Sequence, residues 1–343
     1  MERGGYVPQE SRLALHDTTL ELQGEPLRVF YGSTLDLKNS SIETNGFPIY
    51  IADGTLKVEG TVDLSGIVPD KTKSILRLAG DATVIGDNNN TLSVYTLDLA
   101  DFALTLDDNM AGLRVSQALT LNAGTEQIIS GGADLSLNGG VAVNAGTLSS
   151  TGGTLSASNF NLGAEGTINI QGGTLTLPAG GTAVAGATFA TSGTVIQLGG
   201  ALDVKDTWTS TNTDLSLTAN ASLSSTAAVE AGTLQTNGFK LNLASETTDL
   251  TISEGFTISA SQEQSTGVET GDADLTLNGP LTVLGGGISS SGGTLTFGPD
   301  SGASSFVQYT GVLLSDTALV LQTNININYL ELKGSSVIQT NGN

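Results

Sequence analysis

The chain has 343 residues and a formal net charge of −22, from 34 acids against 12 bases, with no cysteine and only 13% charged residues. An acidic, lysine-poor surface repels phosphate backbones and anionic lipid, and a chain without cysteine has no disulfides, zinc–thiolate sites or cysteine nucleophiles. No apolar run approaches the ~18 residues needed to span a bilayer, and the first twenty residues lack a signal-peptide core.

Residues 1–19 form an irregular lead with Tyr6, the alternating pair Leu13 and Leu15, and the sole histidine, His16. They are expected to be an N-terminal cap or a segment donated to a neighbour. From Leu20 a two-residue apolar beat begins: Leu20 and Leu22, Leu35 and Leu37, Leu56 and Val58, Leu76 and Leu78, Leu97 and Leu99, Leu119 and Leu121. The central stretch is more regular, with Leu135, Leu155, Leu175, Val195 and Leu215 at intervals of 20. After drift at Leu234 and Leu250 the beat returns at Leu275, Leu295 and Leu319. A fixed period of this kind marks a solenoid, in which each repeat buries its apolar side only against its neighbours.

Within each period, apolar and small polar residues alternate, as in Thr174-Leu175-Thr176-Leu177. Alternation with period two predicts short strands with leucine inside and threonine outside. Glycine pairs such as Gly152-Gly153, Gly172-Gly173 and Gly292-Gly293 supply corners. Two further short segments fit each period, for instance Phe160–Leu162 and Thr167–Ile170 after Leu155. The prediction is an all-β, parallel, right-handed β-helix of about 16 coils of about 20 residues with three short strands each, continuous over residues 20–343. Residues 133–158 repeat in residues 273–298 without gaps at a shift of 140, with 14 of 26 positions identical. That shift reads as seven coils of twenty, from a duplicated block or from similar coils kept in phase. Thr-Asn-Gly recurs at residues 44–46, 236–238 and 340–342, where Asn-Gly predicts equivalent turns.

Candidate sites are few. Any histidine-based triad or metal site would need His16, whose position in the lead favours surface or cap packing. Carboxylate pairs can act as acid and base, or contact glycans, where an aromatic platform lies nearby. Asp203 and Asp206, beside Lys205 and the only tryptophan, Trp208, form the best such cluster. The acids around Asp87, Asp107-Asp108 and Asp272 with Asp274 offer oxygen ligands for weakly bound calcium, although no calcium-roll or EF-hand loop is present. No other cofactor is expected. Outward Thr-x-Thr positions suggest an ice-binding ladder, but Asp134, Asp214, Asp249 and Asp274 interrupt it, and threonine suits any exposed strand.

The glycine–threonine–leucine phrases and the Thr-Asn-Gly-Phe motif at residues 236–239 resemble the coils of bacterial surface β-helices, the autotransporter passenger domains and filamentous-haemagglutinin-type adhesins. The resemblance covers roughly residues 20–340 and carries no diagnostic site. It implies an extracellular or cell-surface location and a role in adhesion or fibre formation, with host or matrix glycans or proteins as partners. The expected function is therefore a non-enzymatic structural or adhesive solenoid. Tyr6, Leu13 and Leu15 at one end, and Val337 and Ile338 at the other, are the candidate surfaces for end-to-end association with itself or with a longer parent chain. The alternative is a glycan-binding or polysaccharide-cleaving β-helix centred on Asp203, Asp206 and Trp208.

Overall fold

The computed structural model describes residues 5–86, 88–89, 91–205, 208–244, 249–259, 267–306 and 310–340. The fold is an all-β parallel solenoid of about 15 turns at about 21 residues per turn. Its helical content among the described residues is one 3-10 segment, Pro299–Ala303. Among the described residues no helix is long and apolar enough to cross a membrane. The chain forms two compact units, Met1–Thr174 and Leu175–Asn343.

In the first unit, alternation does what the sequence predicts. Leu13, Leu35, Leu56, Leu76 and Leu97 are aligned on successive parallel strands, and Leu15, Leu37, Val58 and Leu78 form a second column beside them. From Leu35 and Leu37 onward these columns through Leu78 are at most 2% exposed. Burying each such side chain contributes about 1.5–3 kcal/mol, and a ring of backbone hydrogen bonds to the next coil holds it in place. The segment expected as a cap or donated strand is, from Tyr6 on, laid down in this register. Tyr6–Val7 pairs with Leu27–Val29, Arg12–His16 with Thr34–Lys38, and Thr19–Glu21 with Ser41–Glu43.

The apolar beat does not follow one column, and this corrects the phase read from sequence. Leu119 pairs with Val141, whereas Leu135 pairs with Leu113 and Leu155 on a different strand set. In the second unit Leu215 continues to Leu234, Phe256 and Leu281. Leu275 instead belongs with Val229, Leu250, Leu295, Leu319 and Ile338. The steps from Leu119 to Leu135 and from Leu234 to Leu250 are therefore fractions of a turn. Counting them as whole turns shortens the apparent period from about 21 to about 20 and adds a coil. The echo between residues 133–158 and 273–298 is local corner chemistry. Ser150 and Ser290 donate to the Gly152 and Gly292 carbonyls at 2.5 and 2.6 Å, and Asp134 and Asp274 accept the Thr154 and Thr294 amides at 2.7 and 2.6 Å.

Candidate functional site: an aromatic face on the first four turns

Four short strands of the first unit, Tyr6–Val7, Leu27–Val29, Ile49–Ile51 and Ile67–Pro69, make a separate parallel sheet. Val7, Val29, Ile49 and Ile51 face the core at 5% exposure or less. Alternation then forces their neighbours outward, and the register aligns Tyr6, Arg28, Tyr50 and Val68 across the sheet. The Arg28 guanidinium lies over the Tyr50 ring, 5.0 Å from its centroid, an attraction between a cation and the electron-rich ring face. Elsewhere the outward strand positions are mostly threonine, serine, asparagine and charged residues. Here Tyr6 is 66% exposed, Tyr31 59%, Val68 47% and Phe30 41%.

Phe30 and Tyr31 are held out by a tight corner. The Ser33 amide donates to the Phe30 carbonyl at 3.0 Å, and Gly32 takes φ +70° at the position where that turn needs it. The Ser33 hydroxyl, fully buried, donates to the Pro8 carbonyl of the preceding coil at 2.5 Å and ties the two corners together. Tyr6, Pro8, Gln9, Phe30 and Tyr31 enclose an open groove of about 440 Å³. Past the far strand, Asp70 is held below the usual carboxylate range by the Thr72 hydroxyl and amide, which donate to it at 2.6 and 2.8 Å.

Many basic residues elsewhere are bridged to carboxylates, although Lys71 and Arg114 have no ion-pair partner within 4.0 Å among the described residues. Asp36 is 3% exposed and takes Arg12 and Lys57, the latter at 3.3 Å, with His16 Nε2 3.8 Å away. Lys38 meets Glu59 at 2.5 Å, which raises the lysine's pKa above its ordinary value through the hydrogen bond and the neighbouring charge. Arg77 meets Asp98 at 2.7 Å, and Lys73 meets Asp53 at 3.4 Å. Arg28 has no carboxylate within 4.0 Å among the described residues.

Trp208, a candidate from sequence, is in the core at 4% exposure, with its ring centroid 5.4 Å from that of Phe189 and its Nε1 donating to Thr191 Oγ1 at 3.0 Å. It offers no ring face to a sugar, which corrects its reading as a platform. Asp203 lies on an outward position between Thr182 and Ser224 and pairs with Lys205 at 3.2 Å. Asp206 lies outside the described residues, as do Asp87 and the third Thr-Asn-Gly corner beyond Thr340. Leu13 and Leu15 are the inward residues of the first coil and are half-buried; Tyr6 points sideways from it. Ile338 occupies the core column, aligned with Leu319, while Val337 is aligned with the outward Ala318.

Three of the carboxylates offered as calcium ligands accept backbone amides. Asp107 accepts the Asn109 amide at 2.9 Å, Asp108 accepts the Gly132 amide at 2.8 Å, and Asp274 accepts that of Thr294. Among the described residues no group of three or more histidine, aspartate or glutamate side chains could hold a metal ion.

Sequence reasoning missed Arg28, Phe30, Tyr31 and Tyr50. A usable signal was the concentration of tyrosine: Tyr6, Tyr31 and Tyr50 are three of six, all within the first fifty residues. No protein-family model matches the chain, and neither do the curated proteins or the solved structures with which it was compared.

Proposed function

We propose that the chain is a non-enzymatic, extracellular structural or adhesive solenoid that assembles end to end through its terminal coils. The observation that carries this reading is the state of the core columns at the last described coil. Leu332 is 41% exposed and Ile338 46%, while their aligned partners Leu314 and Leu319 on the preceding coil are fully buried. At the first coil, Leu13 and Leu15 are likewise only half-buried against fully buried Leu35 and Leu37. A further parallel coil laid on either terminal coil, from another copy or from a longer parent chain, would cover these side chains and pair with the outer strands. Each of these four side chains is already more than half buried, so covering what is left exposed contributes about 2–5 kcal/mol, against an association cost of about 4–15 kcal/mol. The apolar contacts alone fall short of most of that range, and the edge hydrogen bonds must supply the rest. What supports an extracellular setting is the resemblance of its coil phrases to those of bacterial surface solenoids.

Sedimentation velocity over a hundredfold concentration range, with electron microscopy of the same samples, tests the proposal. The unaltered protein should form concentration-dependent linear species, and Leu332→Asp with Ile338→Asp should remain monomeric. Monomers at every concentration in the unaltered protein would overturn end-to-end assembly.

A further inference from the structure

We propose that the outward face formed by Tyr6, Arg28, Phe30 and Tyr31 is a binding site for an acidic saccharide, a hexuronate unit or short oligohexuronate. It stands on this groove alone and is independent of assembly through the coil ends.

Three observations point to that ligand class. The groove is open, about 440 Å³, and lined by Tyr6, Pro8, Gln9, Phe30 and Tyr31, so it offers flat aromatic and proline surface with one side-chain amide. That volume lies within the ~300–1,000 Å³ of small-ligand sites, and the aliphatic face of a pyranose ring packs on aromatic rings while its hydroxyls stay wet. Second, Arg28 is aligned with Tyr6 on the neighbouring strand and is two residues from Phe30 on its own, so its side chain leaves the same outward face next to the groove, with the guanidinium resting over Tyr50 beside the lining residues. It is exposed and unbridged by a carboxylate among the described residues, while Tyr50 supports it from the far side. A planar guanidinium so held presents two parallel N–H donors, which match a carboxylate. Third, the surroundings set the orientation. Glu10 adjoins the corner at Gly32, with its Cγ 3.4 Å from where a Cβ on that glycine would lie. Asp53 stands on the other side of the same corner, its carbonyl accepting the Gly32 amide at 3.2 Å. Glu10 thus disfavours an anionic group at the Tyr31 end, where Asp53 is already bridged to Lys73, and Arg28 draws it to the other end.

The net charge of −22 opposes binding of any polyanion, but at physiological ionic strength charges beyond ~8 Å are screened, and Arg28 is the charge in contact. This favours a short uronate over a long, densely charged polymer. The corner is rigid, pinned by Ser33 on Pro8, so binding costs little ordering entropy.

Isothermal titration at 0.15 M salt with tetragalacturonate, its carboxyl-reduced counterpart and a tetraglucuronate tests the proposal. The uronates should bind, and the reduced sugar should bind at least tenfold more weakly. Arg28→Ala, Tyr6→Ala and Tyr31→Ala should each weaken uronate binding roughly tenfold or more, the scale of removing one charge-assisted hydrogen bond or one aromatic stacking surface. Arg28→Lys should recover part of the affinity. Arg114→Ala, which removes an exposed guanidinium from a different sheet, should leave binding unchanged, and circular dichroism melts confirm that each variant is folded. No binding of either uronate, equal binding of the reduced sugar, or an equal weakening in Arg114→Ala would overturn the proposal. So would a folded Tyr6→Ala or Arg28→Ala variant that changes only self-association.

Discussion

Replacing Phe189 by alanine is the sharpest test of how the second unit is packed. The ring is fully buried, lies 5.4 Å from Trp208 at an interplanar angle of 53°, and is aligned with it on the adjacent strand. Truncation to alanine removes buried apolar surface and leaves a cavity, for about 3–5 kcal/mol, of which the aromatic pair itself supplies about 0.5–1.5 kcal/mol. The upper half of that range is expected. The walls are strands locked in register by backbone hydrogen bonds, and the Trp208 indole is tied to Thr191, whose hydroxyl shares a 2.9 Å bond with Thr213. Such walls collapse poorly into a void. Trp208 is the only tryptophan, so its fluorescence reports this neighbourhood alone. The native protein should show blue-shifted emission shielded from acrylamide. In urea, the fluorescence-detected stability of Phe189→Ala should fall by about 3–5 kcal/mol. Because solenoid coils are coupled mainly to their neighbours, circular dichroism should report a smaller change than the indole. Solvent-like, quenchable emission in the native protein, or a destabilisation below about 1 kcal/mol, would refute the packing argument.

Two further substitutions probe the corners and outward columns. Gly60→Ala should cost about 2–3 kcal/mol in chemical denaturation, from the left-handed φ of +68° and the displaced Asn39 amide, whose oxygen lies 1.9 Å from the new Cβ and accepts from the Thr61 amide. A change under about 0.5 kcal/mol would mean that the corner relaxes freely. Asp249→Asn should stabilise the second unit by roughly 0.2–1 kcal/mol at low salt, since Asp249 is aligned with Asp274 on the next strand and like charges there repel. The gain should shrink as added salt screens the pair, and a gain that does not depend on salt would exclude repulsion as its cause.

Corners were legible in the sequence because they are local. The Thr-Asn-Gly motifs at residues 44–46 and 236–238 build the same turn, with Asn45 and Gly46 at φ +47° and +85°, and Asn237 and Gly238 at +51° and +91°. In each, the amide three residues on closes the turn, Phe47 to Thr44 at 2.8 Å and Phe239 to Thr236 at 2.9 Å. In each, the asparagine side chain also donates to a carbonyl of the previous coil, Leu22 at 3.1 Å and Leu217 at 3.0 Å. The strands were legible through alternation, but the columns were not. Leu-x-Leu pairs look alike on every face, so Leu119 and Leu135 read as successive beats although they lie on different strand sets. Trp208 misled for a related reason. A lone aromatic among polar residues reads as exposed, and only alignment with Phe189 reveals that it points inward. The aromatic face escaped notice because short strands such as Tyr6–Val7 are too brief for alternation to say which residue faces the core.

A parallel stack in register sets side chains from equivalent positions ~4.8 Å apart, so whatever chemistry stands at one outward position is confronted with its copy on the next coil. Hydroxyl side chains tolerate this: Thr19 and Ser41 share a 2.8 Å bond across two coils. Charges fit it best by alternating, as Asp36 with Lys57 and Lys38 with Glu59 do, and Asp249 beside Asp274 and Glu21 beside Glu43 are like-charge cases. Exposed aromatics in such a column would make an apolar strip that invites aggregation. The column Tyr6, Arg28, Tyr50 and Val68 breaks that strip with a cation, which keeps the face wet and leaves aromatic surface flanking a guanidinium with no bridged carboxylate among the described residues. Solenoid stability requires only that these positions be polar, and threonine would satisfy it, as it does at Thr176 and Thr296. The tyrosines and Arg28 therefore exceed what stacking demands, and the proposed uronate recognition would give that surplus a role.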